Sequence, residues 1–338
     1  LRRSIQWVIG LLVSAAALWL AFRDVSLSAV SEALATANYG YAPFALGLIC
    51  LGQACRANGW RTILGPAFSV GRVFRALNAG YLLNNVLPLR LGELGRAYLV
   101  SRAHNVSTAQ ALSSVLVERV IDLCMLVGML AAFAPLAIGL TGTPAAVAAA
   151  FLLPVAALSF LFVVSRRPTW LLNLLQRLVG SLSRVWRNAA NIETLLHSFI
   201  DGMAALHDAR RFWTAVAWSG AAWASAGLST WLLLRAFVPE ATVGMGFFVL
   251  VVIGLGIAVP SAPGAIGVWQ AAAVAALSAF QVEKTLAVSF GLVNHLANFA
   301  LLSVLGAVAL AREGETLADL ARVARALMPS TSSKGPTS

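Results

Sequence analysis

Residues 84–98 read NNVLPLRLGELGRAY and decide the fold, because they do not belong in a continuous apolar helix. The stretch lies within a long hydrophobic region, yet it gathers Pro88, Arg90, Gly92, Glu93, Gly95 and Arg96. Charge at membrane depth is costly and marks a pathway or a binding site. Backbone broken by Pro and Gly is tolerated there only inside protein or along a cavity. The stretch therefore predicts an interrupted helical hairpin, and the remainder of the chain reads as its surroundings.

Those surroundings are strongly apolar. Of 338 residues, 59% are hydrophobic and 11% charged, against about 25% charged in an ordinary soluble domain. With a mean hydropathy of +0.83, the expectation is an all-α polytopic integral membrane protein. The net charge of +11 is almost all arginine, since Lys284 and Lys334 are the only lysines. In such a chain arginine orients loops and meets anionic headgroups, so nucleic acid is not an expected partner. The cysteines, Cys50, Cys55 and Cys124, are odd in number and lie in apolar runs, which argues against a disulfide framework or a zinc site. The basic start and long apolar run at 1–22 read as an uncleaved first span rather than a signal peptide.

Run lengths near the roughly 20 residues of a crossing helix give about six full spans: 5–22, 42–64, 109–138, 144–164, 212–237 and 285–311. Two broken or re-entrant hairpins, 70–101 and 243–280, bring the total to about eight hydrophobic elements. Residues 1–311 form one membrane domain, with a polar amphipathic linker at 165–211 and a polar tail at 312–338 whose end, TSSKGPTS, reads as disordered. Arginine clusters at 2–3, 61–75, 102, 166–211 and 312–325 fall on one side, predicted to be the cytoplasm with both termini. The loops near Asp24–Glu32, 141–143 and Glu240 fall opposite.

The two breaks share a pattern. Pro88, Gly92 and Gly95 recur as Pro260, Gly264 and Gly267 at a constant offset of 172 residues, which also sets Asp122 over Asn294. This predicts an inverted repeat, about 42–138 and 212–311, with a transporter-like site near the midplane. At the first break, Arg90 and the helix start beyond it suit an anion such as a phosphate headgroup. Glu93 and Arg96, three apart, are expected to pair on one face. The plainer alternative is that Glu93 neutralises an arginine and pins the hairpin. Glu118, Arg119 and Asp122 carry a net −1, so Arg90 or Arg96 is expected to complete the balance; a structural ion-pair network and a site are equally open here. Gln53 and Arg56 share a face, Arg61 reads as an interfacial anchor, and Asn294, His295 and Asn298 read as joining helices. The second break has no charge; Gly264 and Gly267 permit close backbone approach, and Gln270 follows on the half-helix. No nucleophile, metal-ligand set or cofactor motif is recognised, so no catalytic residue, metal or cofactor is assigned.

Three runs carry a family resemblance: N-x-x-L-P-x-R-x-G-E-x-x-R from Asn84 to Arg96, E-R-x-x-D at Glu118, Arg119 and Asp122, and P-x-x-P-G-x-I-G-V from Pro260 to Val268. Together they resemble the transmembrane region of lysylphosphatidylglycerol synthases, the flippase part of MprF-like proteins, with stand-alone YbhN-like relatives. The resemblance spans about 5–311 and implies movement of an anionic, aminoacylated or glycosylated lipid between leaflets of the cell (inner) membrane. The alternative is an integral-membrane enzyme or accessory subunit in envelope lipid or polyprenyl-lipid biosynthesis. Membrane lipids with anionic or phosphate-containing headgroups are the expected partners; a separate lipid-synthesis enzyme and a second copy of the chain remain open. Only a short polar stretch follows Ala311, so aminoacylation by this chain alone is not expected. Gln270 stands where the resemblance leads one to expect an acidic residue, so a role resting on that carboxylate does not carry over. The headgroup site implied overall comprises Arg90, Gly92, Glu93, Arg96, Glu118, Arg119, Asp122, Pro260, Gly264, Gly267, Gln270 and Asn294.

Overall fold

A computed structural model describes residues 2–87, 91–104, 107–137, 208–259 and 261–326, together with Leu152, Ala156 and Ser159. Among them the chain forms eleven α-helices and no strand. These are α1 (Arg2–Phe22), α2 (Leu27–Thr36), α3 (Ala42–Leu64), α4 (Val70–Val86), α5 (Gly92–His104) and α6 (Thr108–Ala137), then α7 (Ala209–Arg235), α8 (Val243–Gly256), α9 (Val268–Ser278), α10 (Lys284–Glu313) and α11 (Leu317–Ala326). The fourth expected span and the linker lie outside the described residues, as do Pro88, Arg90 and Pro260.

Local chemistry explains the boundaries. Pro43 in the first turn starts α3, and Gly65, at φ 113°, ends it. Thr242 caps α8 by accepting from Met245 N, and left-handed Gly314 stops α10. Both hairpins are interrupted where expected, between α4 and α5 and between α8 and α9. α10 alone among the described helices is long and apolar enough to cross a bilayer by length and hydropathy; α1 and α2 pass together as a pair bent by 76°.

Two segments depart from expectation. The acidic loop near Asp24–Glu32 is mostly helix α2, because Ser26 accepts from Ala29 N as an N-cap. The polar tail begins with helix α11, whose Thr316 side chain accepts from Asp319 N. Leu320 of α11 is fully buried against the first hairpin. Beside it, Arg75 pairs with Glu313 at 2.5 Å and Arg102 pairs with Glu315.

Helices α3–α6 and α7–α10 form two sets with matching neighbours. α3 packs along α7; α4 packs on α10 as α8 packs on α6. Two cores result: one around Trp60, Leu77, Leu83 and Val115, joined by Ala309 and Leu310 of α10, and one around Leu233, Val249, Leu277 and Phe290, joined by Ala45 of α3. α1 lies along α9. Outward-facing Leu11, Leu12 and Trp19 on α1, with Leu296, Val304 and Val308 on α10, make an apolar exterior that a bilayer would cover.

Candidate headgroup site between the helix breaks

The start of α5 is set by its own hairpin. Asn84, at the end of α4, accepts from Gly92 N at 2.8 Å, taking up one of the free N–H groups of the new helix. Gly92 also abuts Gly80 so closely that a Cβ would lie 1.9 Å from Gly80 O. The open side of Gly92 is thus filled by α4, where the sequence reading had a headgroup approaching.

From this start α5 sends Arg96 inward. Its guanidinium pairs with Glu118 of α6 at 2.7 Å and lies 4.6 Å from the centre of the Trp60 ring. The expected Glu93–Arg96 pair does not form. Both side chains reach across to α6 instead, Glu93 to Arg119 at 3.0 Å, because neighbouring positions on α6 offer one partner of each sign. Arg119 also reaches Asp122 at 3.3 Å.

The remaining cation comes from α3, which the spacing did not reveal. Arg56 Nη1 donates to both oxygens of Asp122, at 3.0 and 3.2 Å. Trp223 Nε1 and Ser219 Oγ of α7 donate to the same carboxylate, at 2.9 and 3.2 Å. Arg56 stacks 5.2 Å from the Trp223 ring centre. Among the described residues three arginines thus face three carboxylates, with Arg96 and Arg56 both joining the α6 cluster; Arg90 lies outside the described residues. The network is graded in depth: Arg96 and Asp122 are buried, whereas the Arg119 and Glu93 side chains are 37% and 28% exposed. It is also incompletely bonded, since Arg96 Nη2 and Glu118 Oε1 have no hydrogen-bond partner. A cavity of about 10 Å³, the space of roughly one water, lies against it, lined by Arg56, Trp60, Glu118, Asp122 and Ser219.

Arg61 braces the loop after α3, donating from Nε to Phe68 O at 2.8 Å.

The second break is held by neutral groups. Gly267 N donates to Gln270 Oε1 at 2.8 Å, and Gln270 Nε2 lies 2.9 Å from His295 Nδ1. His295 Nε2 lies 2.8 Å from Gly264 O. An amide nitrogen only donates, so His295 accepts at Nδ1 and donates from Nε2 as a neutral imidazole. Gln270 is therefore a brace between the break and α10. Gly267 has φ 87°, and a Cβ there would meet Ser14 O of α1 at 2.4 Å; only glycine suits both demands. The space beside Gly264 is taken by Phe299. Asn294 accepts from Trp269 Nε1 at 3.1 Å, tying α9 to α10 as expected. Cys50, Cys55 and Cys124 are free thiols.

A family model described as the lysylphosphatidylglycerol synthase TM region matches residues 7–306. A search of curated proteins and a search of solved structures find no match.

Proposed function

Because the chain belongs to the lysylphosphatidylglycerol synthase TM-region family, whose setting is lipid modification and flipping in membranes, we propose that it moves a lipid between leaflets. The lipid is anionic, aminoacylated or glycosylated, and its headgroup is held by the charged network beside the first helix break. The observation carrying this reading is the Arg119–Glu93 pair. It is the outer, part-exposed end of an otherwise buried and charge-balanced network, and Glu93 lies one residue after α5 begins. A headgroup phosphate competes with Glu93 for Arg119 without stripping the deeper pairs, and Arg90 precedes the same helix start in sequence.

The test is leaflet exchange of fluorescent phosphatidylglycerol in proteoliposomes. Arg119→Ala should elute as a folded protein on gel filtration yet exchange lipid roughly ten- to a hundredfold more slowly, the effect of losing one charge-assisted hydrogen bond in the moving complex. Arg119→Lys should recover part, since it keeps the charge but not the planar two-point grip. Full exchange by folded Arg119→Ala removes it from the site. Full recovery in an Arg119→Gln, Glu93→Gln double variant would demote the pair to structure. If wild type moves no lipid, the reading as an enzyme or accessory subunit takes precedence.

The same proposal includes the membrane topology. Six spans and two hairpins place the termini and the 165–211 linker in the cytoplasm, with Glu240 and Glu283 outside. The matching neighbours of α3–α6 and α7–α10 support two related halves, and their opposite orientation belongs to the proposal. Single cysteines introduced after replacing the three native ones should be labelled from outside intact cells at positions 240 and 283. Ready labelling from outside at Ser183 would end the inverted arrangement, since it changes the number of crossings between the hairpins.

A further inference from the structure

Neither space beside the charged network admits a headgroup. The cavity against Asp122 is about 10 Å³ and one between α3, α7, α8, α9 and α10 is about 60 Å³, against about 300–1,000 Å³ for a small-molecule site. The arrangement is therefore closed, and an element must move before Arg119 can exchange Glu93 for a larger partner. α4 is fixed along α10. Asn85 at its end donates to Phe299 O and Ser303 Oγ, at 3.3 and 2.9 Å, and a Cβ on Gly306 would lie 2.6 Å from Asn78 O. α5 is held differently. Among the described residues its one buried ion pair, Arg96 to Glu118, lies part-way along the helix. A tilt about that pair draws Glu93 off Arg119 and leaves the deeper pairs intact.

What opposes such a tilt is α11. Fully buried Leu320 sits on α5 at Gly95, where a Cβ would lie 3.3 Å from Leu320 Cδ2 and 2.4 Å from Leu83 Cδ1 of α4. Leu317 packs beside it, and Glu315 pairs with Arg102 farther along α5. The hold is narrow, because Arg102 is 63% exposed and a solvated ion pair contributes little. The connection to α10 is free to swing: Gly314 is left-handed, at φ 68°, and a Cβ there would meet nothing within 4 Å. Helix α11 also carries its own start signal. Thr316 N donates to Asp319 Oδ2 at 3.4 Å and Asp319 N to Thr316 Oγ1 at 3.2 Å, a capping box. With Leu317, Leu320 and Val323 on one side and Arg322, 78% exposed, on another, a released α11 suits the headgroup layer of a bilayer. The family match ends at residue 306, short of this helix.

We propose that α11 is a releasable strap: docked at Gly95 it holds α5 closed, and α5 tilts only by parting from it. What the tilt admits rests on the headgroup reading; the tilt itself does not.

The test ties the two helices together in the full chain. After replacement of the three native cysteines, Arg102→Cys and Glu315→Cys are bridged with a short bis-methanethiosulfonate, which dithiothreitol removes. Two readouts are taken before and after reduction: leaflet exchange of fluorescent phosphatidylglycerol in proteoliposomes, and amide hydrogen exchange of residues 92–104 by mass spectrometry. Bridging should slow lipid movement at least about tenfold, the signature of a suppressed open population, and should slow amide exchange at 92–104; reduction should restore both. Leu320→Ala should act in the opposite sense, speeding both. A permanent brace predicts that Leu320→Ala lowers the melting temperature and slows lipid movement together. Unchanged amide exchange on bridging would mean that α5 and α11 move as one body and would overturn the strap, whether or not lipid moves. Slowed amide exchange with undiminished lipid movement would overturn it too. Slowed amide exchange in a protein that moves no lipid keeps the strap and removes the headgroup reading.

Discussion

Arg96→Leu should destabilise the protein by roughly 3–5 kcal/mol, the cost of leaving a buried charge without its partner. Arg96 and Glu118 are both buried, and their 2.7 Å contact joins α5 to α6. Removing the arginine strands Glu118, whose Oε1 already lacks a hydrogen bond. It also empties the space over the Trp60 ring, which is itself held by donating from Nε1 to Ser114 Oγ at 2.9 Å. Thermal and denaturant unfolding in detergent micelles would measure the loss. The double variant Arg96→Met, Glu118→Met should recover most of it, since replacing both members of a buried pair with apolar groups is often neutral or better. Arg119→Leu, at the part-exposed end, should cost much less. Equal melting of Arg96→Leu and wild type would mean that water reaches Glu118.

Gly92→Ala should cost at least about 3 kcal/mol, the upper end for forcing an extra methyl into a packed site. The added carbon would lie 1.9 Å from Gly80 O and 2.7 Å from Asn84 Oδ1. Neither a rotamer change nor a small side-chain shift clears a backbone oxygen, so α4 and α5 must separate. Separation also breaks the bond from Gly92 N to Asn84. Gly47→Ala provides the control: nothing lies within 4 Å of its added carbon. At that exposed helix position alanine should be neutral or stabilising by about 0.5–1 kcal/mol. The comparison is read as expression level and melting temperature of the two variants in one detergent. Wild-type melting of Gly92→Ala would show that the hairpin arms stand farther apart than the structure places them.

Helices were legible in the sequence where punctuation was strong. α3 occupies the residues expected of the second span because Pro43 and Gly65 mark its ends. The hairpin breaks were visible for the same reason. Helices α2 and α11 were missed because short amphipathic segments resemble polar loops by composition. The signal in α11 was nevertheless present: Leu317, Leu320 and Val323 recur every third residue, with Leu320 in the core and Leu317 packed against it.

Charge pairing was less legible, for a physical reason. Spacing along one helix shows which side chains share a face, but not what packs against that face. Glu93 and Arg96 were matched by their separation of three, yet each found a partner on α6. Arg56 meets Asp122 across 66 residues of sequence, and Trp223 meets it across 101. Pairs of that kind are set by how the helices pack and leave no periodicity to read.

Arg56 forms part of the wall of two small cavities, one of about 10 Å³ beside Asp122 and one of about 60 Å³ beside Gln53. A shared wall links the two spaces thermodynamically only where filling one of them moves it. If an occupant of one cavity shifts Arg56 against Asp122, it alters the energy of filling the other, and the second occupant must alter the first by the same factor. The deepest point of this linkage is a carboxylate held by four donor groups from α3, α6 and α7. Any change in how those helices cross is therefore registered at a single oxygen pair.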